Sequence, residues 1–329
     1  MDFSITELIN AAHKCLVLCG VKSGDMVVIW TDARTDTEFN QAFFGAALSL
    51  DAELLMVVGT RTVRPNVPPP DIALDLLKKA DIVLDCASSP WMYTPEYASI
   101  LKLGVPILHC GANRKEDLMN RIPTREMGEN VKMITQFLTG KKVRITSDIG
   151  TDLEVVEPGR PWSYFVGYIE RPDHLYDSLP GGVTALYPKV GTVSGTAVVD
   201  GIMQAPWPGV VPEAPVKFTI KESRIIKIEG GNDAKNAEAF FESFNDPNVH
   251  LFAHLCFGLD PRIGKAVATI EAEAREGQIT IAFGSSILPM GGGDVAAKIH
   301  CDMLLMDADM IVDDQLIIDK GKILYEKLK

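Results

Sequence analysis

No uninterrupted apolar run in this chain approaches the roughly 20 residues that cross a bilayer, so no membrane partner is expected. The opening Met1-Asp2-Phe3-Ser4 lacks a basic stretch leading into an apolar one, and no secretory signal is read there. None of the six cysteines (Cys15, Cys19, Cys86, Cys110, Cys256 and Cys301) forms a CxxC pair. Scattered through apolar segments, they read as reduced, buried thiols in a cytoplasmic protein. Cys256 and Cys301 are expected to point away from the polar residues beside them. No Lys/Arg cluster offsets the net charge of -12, which argues against nucleic acid and anionic membranes, both polyanions. A dinucleotide fingerprint is also missing. Ile29-Trp30 is followed by Thr31-Asp32-Ala33-Arg34-Thr35-Asp36, with no glycines to let the backbone approach a pyrophosphate. Ser285 and Ser286 do not sit in a G-x-S-x-G elbow, so a serine nucleophile has little support.

What remains is an ordinary globular composition of 329 residues, long enough for two domains. Apolar strand runs at 25–30, 53–59, 81–86 and 105–109 alternate with helical patterns at 5–20, 37–50, 71–79 and 95–103. Such alternation predicts βαβ units and a parallel sheet. From about residue 141 the pattern changes to short strands of period 2, including 142–148, 193–199, 216–220 and 224–229, with one helix over 233–244. Residues 315–324 read as a hairpin turning at Lys320-Gly321. The predicted fold class is therefore α/β. A Rossmann-like parallel-sheet domain at 1–140 precedes a β-rich α+β domain at 141–329.

The chemistry concentrates in the second domain. In Ile299-His300-Cys301-Asp302-Met303, a strand would send His300 and Asp302 to one face and their apolar neighbours to the other. An imidazole beside a carboxylate makes two corners of a metal site. His254 or His250 can supply a third, and spacing favours His254 only weakly. Two histidines and one carboxylate with open positions are the face that non-haem Fe(II) oxygenases present. The competing reading is a polar strand face, or a core histidine hydrogen-bonded to a carboxylate. Gly291-Gly292-Gly293 lacks the lysine of a phosphate loop and reads better as a tight turn beside the metal. His13, His109 and His174 read as structural or surface residues.

Three segments in order resemble the aminopeptidase T (M29 metallopeptidase) superfamily. They are Gly150-Thr151-Asp152-Leu153 with Gly159-Arg160-Pro161-Trp162, then Ala253-His254-Leu255-Cys256-Phe257-Gly258-Leu259, then His300-Cys301-Asp302. The peptidase branch holds two metal ions with additional glutamates. Here Val183 stands in one such position, and Asp246-Pro247-Asn248-Val249-His250 replaces the other. Without that charge, two divalent ions about 3.5–4 Å apart lack their ligands. The reduced set resembles the 2,5-dihydroxypyridine 5,6-dioxygenase branch. The resemblance implies a mononuclear Fe(II) ring-cleaving enzyme taking a small aromatic substrate and O2, assembled as a homo-oligomer. It assigns the metal to His254, His300 and Asp302, and prefers His254 over His250. Ser285, 15 residues before His300, is the expected catalytic and substrate hydrogen-bonding residue. Trp91 and Tyr93, after the strand at 81–86, are expected to contact the ring, since ligands approach parallel sheets beyond the strands' carboxyl ends. The alternative is a metal-dependent aminopeptidase of the M29 type.

Overall fold

A computed structural model describes residues 3–60, 65–111, 114–156, 160–264, 270–288 and 292–328. Gly159 and Gly291, both singled out above, lie outside the described residues. The chain forms two compact units, 1–129 with 165–181, and 130–164 with 182–329. Among the described residues no helix is long and apolar enough to cross a membrane.

The first unit opens as the alternation predicts. Its elements are α1 (Ile5–Leu18), β1 (Met26–Asp32), α2 (Thr37–Ser49), β2 (Glu53–Gly59), α3 (Asp71–Leu77), β3 (Ile82–Asp85), α4 (Pro95–Lys102), β4 (Ile107–His109) and α5 (Lys115–Asn120). Ser4 and Glu7 form a reciprocal capping box that starts α1, and Asp36 caps α2. Central strands β1 and β3 are buried on both faces, as a sheet between helical layers requires. The next helix, α6 (Arg125–Leu138), and the short α5 were not anticipated. Yet Val131, Ile134 and Leu138 bury a helical stripe in α6, and the polar residues between them mask it.

After β5 (Val143–Thr146), β6 (Asp152–Val155) and β7 (Ser163–Phe165), the chain returns to the first unit as β8 (Tyr176–Ser178). That strand pairs in parallel with β4 and completes a five-stranded sheet of order β2-β1-β3-β4-β8. The return segment is tied down by buried Asp177. Its carboxylate accepts the backbone N–H groups of Val166 (2.9 Å) and Gly167 (2.7 Å) and lies 2.6 Å from His174 Nε2. The single boundary expected after residue 140 is therefore not how the units divide. A three-residue strand has too little sequence pattern to announce itself.

The second unit continues with β9 (Val183–Leu186), β10 (Val193–Val199), β11 (Val216–Lys221), β12 (Arg224–Glu229) and α7 (Gly231–Glu242). It ends with β13 (Phe252–Gly258), β14 (Ile279–Gly284), β15 (His300–Leu305), β16 (Asp309–Val312), β17 (Gln315–Asp319) and β18 (Lys322–Ile323). An eight-stranded sheet has order β12-β11-β10-β6-β5-β16-β17-β18, and a five-stranded sheet has order β15-β14-β13-β9-β7. Aromatic packing on one face of β14 joins them. Phe283 meets Phe218 of β11 and Phe252 of β13, each with ring centroids 5.7 Å apart, and Phe241 of α7 at 6.5 Å. Ile279, Ile281 and Phe283 thus face this core. Thr280, Ala282 and Gly284 face the other way.

The terminal hairpin turns at Lys320 (φ 44°) and Gly321 (φ 76°), the pair of positive φ values that a tight β-hairpin needs. Gly277 (φ +79°) packs against that turn so closely that a Cβ would lie 1.9 Å from the Gly321 carbonyl oxygen. Gly277→Ala is therefore expected to cost about 1–3 kcal/mol in urea unfolding, from strain and overpacking together. Gly264→Ala, with nothing within 4 Å of the added Cβ among the described residues, is expected to stay within about 0.5 kcal/mol of the parent.

Candidate metal centre

Three adjacent antiparallel strands build the site. His254 of β13 is opposite Ala282 of β14, and Ala282 is opposite Asp302 of β15. Directly opposite residues in antiparallel strands share a face, so these three side chains emerge on the same side. His300, two residues before Asp302, shares that face by alternation and lies opposite Gly284. Alanine and glycine on the middle strand leave the space that the longer side chains on either side reach across. His254 Nε2 lies 3.2 Å from His300 Nε2 and 3.1 Å from Asp302 Oδ1. His300 Nε2 is also 3.1 Å from Asp302 Oδ1. The two imidazoles are nearly parallel, at 25° with centroids 5.0 Å apart.

These separations carry chemical information. Three donors about 2.1–2.2 Å from one ion, at right angles to one another, stand about 3.0–3.1 Å apart. His300 Nδ1 lies 2.6 Å from the Ser285 carbonyl oxygen. A carbonyl only accepts, so Nδ1 carries the proton and Nε2 presents its lone pair to the cluster. Burial disfavours ionisation of Asp302. The two histidines packed against it, with a hydrogen bond from His254, overcome this and hold the carboxyl well below its ordinary range. Burial pushes the His254 imidazole below its usual value, against the pull of Asp302. His254 Nδ1 is sealed from solvent and has no partner among the described residues. An ionised carboxylate and the His300 lone pair thus face one another at hydrogen-bond distance, with a second imidazole nitrogen beside them. This donor set fits a divalent cation. Among the described residues it is the one cluster of histidine, cysteine or carboxylate ligands that does.

Other expected residues are placed differently. His250 closes a 3-10 turn (Pro247–His250) against the Phe241 ring, outside the cluster. The Ser285 hydroxyl donates to the Val295 carbonyl (3.3 Å), so it is the Ser285 main chain that touches the triad. Trp91 and Tyr93 belong to the first unit. There Trp91 is buried with its ring centroid 4.6 Å from Tyr97, and Tyr93 is half-buried. Cys301 faces away from the triad, but Cys256 does not. It is two residues from His254 and opposite Thr280, so it shares the ligand face, where burial raises its thiol pKa. Val183 is buried in β9 opposite Gly258 and supplies no ligand. His109 and His174 pair with buried Asp85 and Asp177, respectively.

Sequence reasoning missed the ends of the row. Leu186 is opposite Leu255, so Tyr187 falls opposite His254, and its ring meets the imidazole edge-on with centroids 5.4 Å apart. On the far side, Met203 bridges to Met303, so Gln204 falls opposite Asp302. Gln204 N–H donates to the Asp302 carbonyl, and Asp302 N–H donates to Gln204 Oε1, both at 3.0 Å. Tyr187, His254, Ala282, Asp302 and Gln204 thus form one row across five chain segments. Nothing in the sequence marks residues 187, 204 and 282 as neighbours; only strand register does.

The fold belongs to the class represented by AmpT from Thermus thermophilus, which it matches with a TM-score of 0.66 over 97% of this chain and 99% of that one, at 13% identity. The structure of 2,5-dihydroxypyridine dioxygenase from Pseudomonas putida KT2440 matches with a TM-score of 0.84 over 98% of both chains, at 23% identity. At such identities the likeness establishes the fold. In sequence, the 2,5-dihydroxypyridine 5,6-dioxygenase of Pseudomonas putida KT2440 is 26% identical over 257 residues, 75% of this chain and 72% of its own. The NicX family model, described as 2,5-dihydroxypyridine 5,6-dioxygenase, matches residues 7–325, and the chain belongs to that family of dioxygenases. The resemblance carried by the three motifs is borne out.

Ala282 supplies the test of this geometry. Ala282→Leu fills the space between His254 and Asp302 and is expected to weaken divalent-metal binding about five-fold or more, as overpacking of about 1–3 kcal/mol implies. His250→Ala is expected to bind metal as the parent does. Calorimetric titration of the metal-stripped proteins measures both.

Proposed function

We propose that the chain is a mononuclear, non-haem Fe(II) dioxygenase that opens the ring of a dihydroxypyridine, of the type that converts 2,5-dihydroxypyridine to N-formylmaleamate. One observation carries this reading: three donor atoms lie 3.1–3.2 Å apart on one sheet face in a member of the NicX family. His254, His300 and Asp302 would hold the ion from one side, leaving the other to the ring and dioxygen. Iron bound there would supply the one-electron chemistry that lets O2 react with a closed-shell ring.

The chain's own groups do the rest. The Ser285 carbonyl accepts from the His300 Nδ1–H, which orients the ring and leaves Nε2 as the nitrogen turned toward the ion. Asp302 is held ionised, and two neutral imidazoles add no charge, so a bound dication keeps net positive charge. With iron held there, that charge would favour a deprotonated substrate hydroxyl. Buried Tyr187 covers the His254 side and keeps bulk water from it. Both oxygen atoms enter the product, so the residues need not deliver electrons from outside. The absence of a second carboxylate cluster among the described residues supports one ion over a hydrolytic pair. All six cysteines are free and buried, as the reducing cytoplasm would preserve them.

Protein purified without oxygen is expected to bind one iron per chain and, on addition of O2 and 2,5-dihydroxypyridine, to consume the ring absorbance. His254→Ala, His300→Ala and Asp302→Ala are each expected to lose iron and turnover. Two zinc ions per chain with hydrolysis of a leucyl anilide would reject the proposal, as would an Asp302→Ala protein that keeps its iron.

A further inference from the structure

The row across the site ends in a residue that neither the sequence motifs nor the ligand set accounts for. Gln204 is 4% exposed and lies on a segment that adds to the outer edge of β15. Ladder bonds run from Gly201 N–H to the Leu304 carbonyl, from Leu304 N–H to the Ile202 carbonyl, and from Gln204 N–H to the Asp302 carbonyl. An antiparallel hydrogen-bonded pair would return the last bond, from Asp302 N–H to the Gln204 carbonyl. The chain instead turns into Ala205-Pro206, and the Gln204 side chain takes that bond through Oε1.

This use of Oε1 has a chemical consequence. A carboxamide has an acceptor end and a donor end on the same carbon, and the backbone of β15 has fixed which end is which. The NH2 group makes no hydrogen bond among the described residues. Because Gln204 is opposite Asp302, its side chain stands on the ligand face. The triad is thereby bracketed by an aromatic ring on the His254 side and a neutral, oriented N–H donor on the Asp302 side.

We infer that Gln204 is a substrate-binding residue whose NH2 group donates to the oxygen on the carbon next to the ring nitrogen. This rests on the dihydroxypyridine reading above. An amide donor suits that oxygen in either of its forms, hydroxylate or pyridone carbonyl, because both accept. A carboxylate at the same place would repel it. Gln204 then distinguishes a ring bearing that oxygen from one without it, since a donor left facing a bare C–H goes unpaired.

The test compares 2-hydroxypyridine with pyridine, neither of which needs to turn over. Affinities of both are measured by calorimetry on anaerobic, iron-loaded protein, with iron content and melting temperature recorded for each variant. Wild-type protein is expected to prefer 2-hydroxypyridine. Gln204→Glu keeps an acceptor for the Asp302 N–H but replaces the donor with a negative oxygen, and should lose the preference by about ten-fold or more. Gln204→Met removes the donor without adding charge and should lose it as well. If either variant retains iron and the wild-type preference, the inference is overturned while the dihydroxypyridine reading stands. If the wild-type protein binds neither 2,5-dihydroxypyridine nor 2-hydroxypyridine, both fall.

Discussion

Everything at the centre depends on the register of β13, β14 and β15. Strand side chains alternate with a period of two, so a one-residue slip of either outer strand would send its ligand to the opposite face. The two faces of β14 divide the labour. Phe283 locks one face among Phe218, Phe241 and Phe252, and that aromatic contact fixes which residues of the neighbouring strands can be opposite one another. The other face carries almost nothing: Ala282 and Gly284 are there because larger side chains would occupy the space the ligands need. A heavy core on one side and an empty one on the other are two halves of the same constraint.

The electrostatics follow from this packing. A carboxylate buried beside two imidazoles is costly unless positive charge sits among them. The chain meets part of that cost with a hydrogen bond to Asp302 and fixes the His300 proton on the Ser285 carbonyl, away from the cluster. What is left is a group of electron-rich atoms whose mutual repulsion a cation relieves. The structure reads more naturally as a preorganised receptor than as a polar cluster stabilised for its own sake.

The parts legible in sequence were those carried by local pattern. Alternation of apolar runs announced the parallel sheet, His300-x-Asp302 announced a shared face, and Lys320-Gly321 announced the terminal turn. Parts that depend on pairing between distant segments were silent. Tyr187, Ala282 and Gln204 have no motif, because their positions arise from register over long stretches of sequence. Cys256 shows a different failure: the alternation was legible, two residues from His254, yet the expectation placed it on the wrong face. The short β8 carries no periodicity, which is why the expected boundary after residue 140 missed the return of 165–181.

That return has a consequence for how the protein is made. A ribosome delivers β4 long before β8, so the edge of the parallel sheet at Ile107–His109 stays open while some 70 further residues are synthesised. Unpaired strand edges are templates for association with other chains. Vectorial synthesis therefore cannot finish the first unit before part of the second has emerged. The interval during which the nascent chain is most exposed to aggregation is written into its topology.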